Sequence, residues 1–310
     1  MKVIDHHTYL NITMKKINKV KLFVNNNLKS RKAAEEIKEE LLNNKFVLVE
    51  EDFDLDTYKL HCEIDQWQRE TELVSAETYR EYMRDGDTRS LASLEKLERA
   101  FERVLDEVSK TVIVDTPAIW SVYNMGYLVK TRESLFSIDL IHRRAIELAD
   151  KLDFALITHN HGDHCDIELY KKLNSAGKTV ISNFLDNYGA HSKRNENSIG
   201  GGFVMGEKTF RIKDVEIFTS LVDHNKYLLD FTTAFEIRVG NWKLYHTGDC
   251  GVADKLKTSN GSPDVWTFFP GCGIKVATAI KKIQPKKVVF GHLWELAHSS
   301  SRLDAPLIKR

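Results

Sequence analysis

The chain has 310 residues, and its 45 lysines and arginines are balanced by 45 aspartates and glutamates. This length allows one or two domains with a sizeable core. The balanced charge gives no general reason to expect a nucleic acid or an anionic membrane surface as a partner. No apolar run approaches the roughly 20 residues of a membrane-spanning helix.

The four cysteines, Cys62, Cys165, Cys250 and Cys272, are scattered along the chain without a CxxC spacing. Cys165 and Cys250 adjoin residues that can bind a metal, which disfavours a disulfide at those two positions. The N-terminus also lacks the apolar core of a signal peptide. We therefore expect a reducing, cytoplasmic environment, with Cys250 as a buried structural thiol.

Residues 1–110 predict a mixed, mainly helical segment. The stretches KVKLFV (19–24) and KFVLVEE (45–51) predict strands, and KSRKAAEEIKEELLNN (29–44) between them predicts an amphipathic helix. Residues 64–110 have a helical pattern, in which apolar residues recur every three or four positions: Leu91, Leu94, Leu97, Phe101, Val104, Leu105 and Val108. We expect this apolar stripe to pack on the following domain, beside its metal-binding edge, or to form a dimer with a second copy of the chain.

From residue 111 the pattern favours strands, with turn signals at 124–126 and 132–134. RRAIELADKL (143–152) predicts a helix and FALITH (154–159) a strand. Five further strand regions follow: KTVISN (178–183), TFRIKDVEIFTSLV (209–222), FTTAFEIRVGNWKLYHTG (231–248), VWTFFP (265–270) and KKVVFGH (286–292). This pattern predicts a layered, sheet-rich α/β domain over residues 111–310.

The stretch ITHNHGDHCD (157–166) carries three histidines and two aspartates directly after an apolar run. Side chains on an extended strand end alternate with period two, so His159 and His161 point the same way and can reach one metal ion. Asp163 and His164 begin the next element and can face a second ion. Neutral imidazoles and carboxylates suit Zn²⁺ and similar borderline cations.

Three further residues of types that bind metals follow predicted strands later in the chain. His224 lies in LVDHN, Asp249 in KLYHTGDC and His292 in KKVVFGH. Loops at the ends of strands in a layered α/β fold can converge. The sequence therefore predicts one cluster of seven metal-binding residues: His159, His161, Asp163, His164, His224, Asp249 and His292.

The order and spacing of these seven residues, across roughly residues 111–300, resemble the metallo-β-lactamase fold superfamily. The stretches LYHTGD (244–249) and PDVWTFFPGCG (263–273) are most similar to the branch of metal-dependent hydrolases that contains ascorbate-6-phosphate lactonase. The resemblance implies an α/β fold, the four-layer αββα sandwich. Residues 1–110 have no counterpart in the minimal fold and would form an N-terminal extension.

The resemblance also implies two divalent cations. It assigns His159, His161 and His224 to one cation, and Asp163, His164 and His292 to the other, with Asp249 bridging both. Asp163 and Asp249 are the predicted catalytic carboxylates. Zinc is the expected metal, with manganese or iron as alternatives. A hydroxide held between the cations would attack a small-molecule ester, lactone or phosphodiester.

Other residues have weaker signals. His246 is either a partner that orients a metal ligand or an ordinary sheet residue. Four residues could bind a phosphate or carboxylate of the substrate, although solvated surface charges are the simpler interpretation: Lys193, Arg194, His298 and Arg302. A nuclease-like phosphodiesterase acting on RNA or DNA is the alternative function, and the sequence shows no basic, aromatic-rich arm that would favour it. A non-enzymatic interaction protein is a third hypothesis, against which the complete ligand set argues.

Overall fold

The computed structural model describes residues 76–89, 92–183, 206–259 and 261–292. The predicted strands at 19–24 and 45–51 and the predicted helix at 29–44 lie outside the described residues. The same holds for residues 64–75 of the predicted helical region, for Leu91 of the apolar stripe and for the four predicted substrate-binding residues, Lys193, Arg194, His298 and Arg302.

The described strands form two mixed sheets. The first sheet has the order β1-β2-β3-β4-β5, with β1 Ala118–Tyr123, β2 Gly126–Lys130, β3 Leu135–Ile138, β4 Phe154–Leu156 and β5 Thr179–Ile181. Its first three strands are antiparallel, and β3, β4 and β5 are parallel. The turns predicted at 124–126 and 132–134 are confirmed, because they connect β1 to β2 and β2 to β3.

The second sheet has the order β11-β10-β9-β8-β7-β6. Its strands are β6 Lys208–Ile212, β7 Val215–Val222, β8 Thr232–Val239, β9 Trp242–His246, β10 Val265–Phe268 and β11 Lys287–Phe290. Strands β6 to β9 are antiparallel, whereas β9, β10 and β11 are parallel. Parallel neighbours need a crossover connection. Helix α3 Ile167–Ser175 connects β4 to β5, and α4 Val276–Ile283 connects β10 to β11.

The inner faces of the two sheets share one apolar layer. Because strand side chains alternate, Tyr127 and Val129 of β2 point into this layer, whereas Leu128 between them packs on the outer face. The rings of Phe136 and Phe154 stack within the layer with their centroids 4.5 Å apart. Each large apolar side chain that is fully buried here stabilises the fold by roughly 1.5–3 kcal/mol.

Helices cover both outer faces. Helix α1 Ala76–Asp85, helix α2 Ala92–Lys110 and α3 lie on the first sheet, and α4 lies on the second. The stripe of α2 is buried against the first sheet through Leu94, Leu97, Phe101, Val104 and Val108. The resulting four layers confirm the αββα sandwich. Within the described part of the chain, no helix has both the length and the apolar character needed to cross a membrane.

One predicted helix is wrong. In place of a helix over residues 143–152, the structure has a 3₁₀ helix, Ala145–Leu148. The amine of Lys178 binds the carbonyl oxygens of Ala149, Asp150 and Leu152 at 2.7, 2.9 and 2.6 Å. A cation from a distant part of the chain therefore satisfies carbonyls that a longer helix would use for its own hydrogen bonds.

Candidate metal centre

All seven predicted metal-binding residues lie in loops that directly follow strands. His159, His161, Asp163 and His164 follow β4, His224 follows β7, Asp249 follows β9 and His292 follows β11. The first sheet thus contributes four of these residues and the second sheet contributes three. His161 and His224 are half-buried, and the other five are buried.

The seven side chains form two groups of three with one carboxylate between them. His159, His161 and His224 form the first group, and Asp163, His164 and His292 form the second, with the ligand atoms of each group within 4.8 Å of one another. Asp249 contacts both groups: its Oδ2 lies 3.5 Å from His224 Nε2, and its Oδ1 lies 3.0 Å from His292 Nε2. We call these seven residues the metal-ligand cluster.

Asp139, a buried carboxylate outside the metal-ligand cluster, orients histidine side chains of the cluster. Asp139 follows β3 and accepts hydrogen bonds from the backbone N and the Oγ1 of Thr158, at 2.7 and 2.6 Å. It also contacts His164 Nδ1 at 2.8 Å and His246 Nε2 at 3.2 Å. Burial alone would raise the pKa of Asp139, but the rings of His164 and His246 hold this pKa well below its usual range. The ionised carboxylate accepts the Nδ1 proton of His164, which leaves Nε2 facing the cluster.

Thr158 extends this control to a second histidine. The single hydroxyl proton of Thr158 is donated to Asp139, so its oxygen accepts a proton from His159 Nδ1 at 2.9 Å. The Nε2 of His159 is then free of that bond and lies 3.0 Å from His161 Nδ1. His246 contacts Asp139 and, through Nδ1, Thr267 Oγ1 at 2.7 Å. His246 therefore acts on the cluster through Asp139.

The backbone is left-handed at three non-glycine residues around the cluster: Asn124, Asp139 and His292, with φ of 54, 43 and 55°. Such conformations cost on the order of 1–3 kcal/mol each and concentrate at functional sites. The backbone N of His292 donates to the carbonyl of Asn124 at 3.2 Å, and the Asn124 amide donates to the carbonyl of Asp163 at 3.2 Å. The strained residues therefore hold the second group together.

Two glycines allow the loop after β9 to reach the cluster. Gly248 has a φ of +49°, and a Cβ atom there would lie 2.9 Å from Thr158 Oγ1. A Cβ atom on Gly251 would collide with the carbonyl oxygens of His224 and Cys272. This close packing brings Asp249 between the loops that carry the other ligands.

The protonation states favour metal binding at several positions. Burial, and then the charge of His164, lower the pKa of His159 well below its usual range. Burial and then His224 lower the pKa of His161 to about 4. Burial alone would raise the pKa of Asp249, but His292 and His164 hold it well below the usual range. Neutral imidazoles and ionised carboxylates are the forms that bind divalent cations. His164 differs, because burial alone would lower its pKa but the carboxylates of Asp249, Asp163 and Asp139 raise it well above its usual range, so a cation bound there would replace a proton.

Two buried donor atoms of the metal-ligand cluster are also in a position to bind a cation. His224 Nε2 and Asp249 Oδ1 are buried without a well-formed hydrogen bond. The Nε2 atoms of His164 and His292 face each other at 3.0 Å, which requires a proton or a cation between them. A buried polar atom without a partner costs about 1–3 kcal/mol, and coordination to a metal would remove that cost. The cluster thus has the chemistry of a divalent metal centre.

Sequence reasoning missed three residues around the cluster: Asn124, Asp139 and Cys272. Each follows a strand, namely β1, β3 and β10, so the position after a strand that singled out the candidate ligands could have found them. Cys250, in contrast, is fully buried in the apolar cluster on the outer face of the second sheet. Its thiol donates to the carbonyl of Val252 at 3.4 Å, as expected of a structural cysteine.

Two mixed sheets packed face to face, with histidine and aspartate side chains that could hold a metal ion on the loops after their strands, are typical of the metallo-β-lactamase class of fold. The sequence model of the beta-lactamase superfamily domain matches residues 109–289, which is more than half of the chain. The chain belongs to this family.

Individual relatives are distant. A UPF0173 metal-dependent hydrolase of Caldivirga maquilingensis is 27% identical over 191 residues, which cover 54% of this chain and 82% of the relative. Among solved structures, the metallo-beta-lactamase fold protein YhfI of Bacillus subtilis is 16% identical, with a TM-score of 0.42 over 58% of this chain and 83% of that chain. A mutant of the CmlA beta-hydroxylase is 15% identical, with a TM-score of 0.44 over 70% of this chain. The match spans 55% of the CmlA chain, about half of its length.

Proposed function

We propose that this metal-dependent hydrolase uses two divalent cations to hydrolyse an ester, lactone or phosphodiester bond in a small molecule. The observation that carries the proposal is the position of Asp249 between two three-residue groups, with its oxygens 3.5 Å from His224 Nε2 and 3.0 Å from His292 Nε2. A carboxylate with one oxygen toward each group is suited to contact two cations at once.

Each group would hold one cation. His159, His161 and His224 would bind the first, and Asp163, His164 and His292 the second. Zinc is the proposed metal because imidazole nitrogens and carboxylate oxygens are its usual ligands, with manganese or iron as alternatives. When bound, the two cations would lower the pKa of a water molecule towards neutrality and polarise the oxygen of the substrate.

The chain's own residues position the reacting groups. The carboxylate oxygens of Asp249 and Asp163 can accept hydrogen bonds from the attacking water and orient it. Asp139 holds the His164 ring through Nδ1. Phe231 is buried, and its ring lies 5.5 Å from the ring of His159 and 5.0 Å from that of His161, measured between centroids. This apolar contact restricts the orientation of the two imidazole rings.

The proposal is tested with Asp249→Asn in the full chain. Metal-free protein is reloaded with zinc and assayed on chromogenic esters, lactones and phosphodiesters. An amide keeps the shape of the carboxylate but not its charge, so we expect activity to fall roughly 100-fold or more, with an unchanged circular dichroism spectrum. The matched control is Asp153→Asn, because Asp153 accepts a backbone hydrogen bond from Leu135 but lies outside the cluster. Wild-type activity in a folded Asp249→Asn protein would contradict the proposal.

Oligonucleotides in the same assay test the alternative nuclease function. Cleavage of RNA or DNA that weakens steeply with salt would support a nuclease, because phosphate contacts release counterions. The balanced charge of the chain favours the small-molecule substrate. A cytoplasmic location and a homo-oligomeric state are further parts of the proposal, which fractionation and light scattering would test. Residues 1–110 are proposed as an N-terminal extension whose last helix, α2, packs on the first sheet, and limited proteolysis would test where this extension begins to be protected.

A further inference from the structure

A cysteine lies beside the metal-ligand cluster. Cys272 Sγ, one carboxylate oxygen of Asp249 and one ring nitrogen of His224 all lie within 4.8 Å of one another. Cys272 is half-buried at the end of the 3₁₀ helix Pro270–Cys272, which follows β10. The sequence prediction did not include Cys272 among the ligands.

The backbone holds Cys272 at this position from two sides. Strand β10 lies between β9 and β11 and is parallel to both, so its following loop opens between the loops that carry Asp249 and His292. The carbonyl oxygens of Cys272 and His224 both pack against Gly251, where a Cβ atom would collide with them. The fold therefore places the backbone of Cys272 beside the metal-ligand cluster.

Two buried polar atoms of the side chains beside Cys272 make no well-formed hydrogen bond. The side chain of Asp249 is only 6% exposed, and its Oδ1 is buried without a well-formed hydrogen bond. His224 Nε2 is also buried without a well-formed hydrogen bond. A thiol is a weak donor with one proton and cannot satisfy both atoms. An imidazole, a carboxylate and a thiol whose ligand atoms lie within 4.8 Å of one another are, in contrast, three donors that can bind a cation.

We propose that Cys272 is a further metal ligand, which places a sulfur beside His224 and Asp249 and adapts this side of the cluster to a thiophilic divalent cation. The inference rests on the proposed function and narrows the metal that this function leaves open. On binding, the S–H proton passes to solvent as the S–metal bond forms, and no oxidation state changes. Thiolate ligands favour zinc or cobalt over manganese.

Cobalt titration of the metal-free full chain tests the assignment by absorption spectroscopy. We expect a thiolate-to-cobalt charge-transfer band in the near ultraviolet for the wild type and for Cys250→Ala, and its loss in Cys272→Ser. Cys250 is the matched control because it adjoins Asp249 in sequence but donates to the carbonyl of Val252. Cobalt binding by the wild type without the band would overturn the inference and leave the proposed function intact. Failure of the wild type to bind cobalt or zinc would overturn both.

A second test alkylates the cysteines of the wild-type protein, so it does not depend on whether a substituted chain folds. Metal-free and zinc-loaded protein are treated with iodoacetamide, and the modified cysteines are identified by peptide mass spectrometry. We expect half-buried Cys272 to be alkylated in the metal-free protein and protected after zinc binding, with buried Cys165 and Cys250 as internal references. Zinc binding that leaves the alkylation of Cys272 unchanged would overturn the ligand assignment.

Discussion

Asp139 controls which nitrogen of two cluster histidines faces the metal position. Its carboxylate accepts from His164 directly and from Thr158, whose oxygen in turn contacts His159 Nδ1. Partners of this kind orient metal-binding imidazoles and raise their basicity. A residue outside both three-residue groups therefore influences both of them.

We expect Asp139→Asn to weaken zinc binding by about 10- to 100-fold. An amide accepts fewer hydrogen bonds than a carboxylate, and its NH₂ group would face the groups of Thr158 and His164 that now donate to Asp139. Competition with a chromogenic chelator measures the affinity, and circular dichroism verifies the fold. Asp153→Asn serves again as the control carboxylate. An Asp139→Asn protein that is folded and binds zinc as tightly as the wild type would show that the hydrogen bonds of Asp139 do not matter for the metal centre.

Some residues at the metal-ligand cluster could be predicted from the sequence and others could not. Four residues of the cluster form a local motif after an apolar strand, so their spacing in the sequence is enough to predict them: His159, His161, Asp163 and His164. Asp139 lies 25 residues before His164 and has no motif partner near it, although both residues follow neighbouring parallel strands. Contacts of this kind depend on strand order, and the order of strands in a sheet is not encoded in any local pattern.

At the scale of elements, α2 supplies an outer layer of the sandwich. Its buried stripe shares one apolar cluster with Leu128 of β2 and Leu169 of α3. The 3.6-residue period of the sequence predicted this stripe correctly, because helix periodicity is a local property. The sequence at 143–152 has a similar period, but it does not form the predicted α-helix. Lys178 binds the carbonyl oxygens at the end of this stretch, and such a contact with a distant residue cannot be predicted from a local pattern.

We expect Leu97→Ala in α2 to lower the free energy of unfolding by about 2–5 kcal/mol, because it leaves a cavity in a closed apolar layer. Leu97 is only 2% exposed. Chemical denaturation measures the change, and Arg99→Ala on the exposed side of the same helix is the control. If both substitutions had equally small effects, α2 would not be part of the folded core.

A buried histidine connects α1 and α2 to the loop after β3. The ring of His142 stacks on Phe101 with a centroid distance of 3.8 Å, and its Nε2 lies 3.3 Å from the Tyr82 hydroxyl, which donates to Glu98. The Nδ1 of His142 accepts from the backbone N of Arg144 at 3.1 Å. Burial is the main cause that lowers the pKa of His142 from 6.5 to about 4.

This shift predicts a loss of stability in mild acid. The unfolded His142 ring binds a proton near pH 6.5 and the folded ring only near pH 4, so the unfolded state binds more protons between these values. The free energy of unfolding should therefore fall as the pH is lowered from 6.5 towards 4, by up to about 3 kcal/mol from this residue. In His142→Asn the fall should be smaller over the same range. Identical pH profiles for the two proteins would exclude this role of His142.

At the scale of the whole molecule, the metal-ligand cluster exists only when the two sheets are packed together. The first sheet carries His159, His161, Asp163 and His164, and the second carries His224, Asp249 and His292. A ligand that binds only the folded state stabilises it by mass action. Metal binding at this cluster would therefore be coupled to the packing of the two sheets.

We expect zinc to raise the thermal midpoint of the metal-free chain, with a shift that grows with zinc concentration. Calorimetry measures the shift, and magnesium at equal concentration is the control because it favours oxygen ligands with octahedral geometry. A midpoint that does not respond to zinc would argue against a metal centre that spans both sheets.

The central claim is that seven residues bind two cations with Asp249 between them. Anomalous X-ray scattering from a crystal of the zinc-loaded protein, collected at the zinc edge, tests this claim most directly. The account predicts two peaks roughly 3.5–4 Å apart. One should lie within bonding distance of His159, His161 and His224, the other within that of Asp163, His164 and His292, and Asp249 should contact both. A single peak, or two peaks of which either lies away from these side chains, would contradict it.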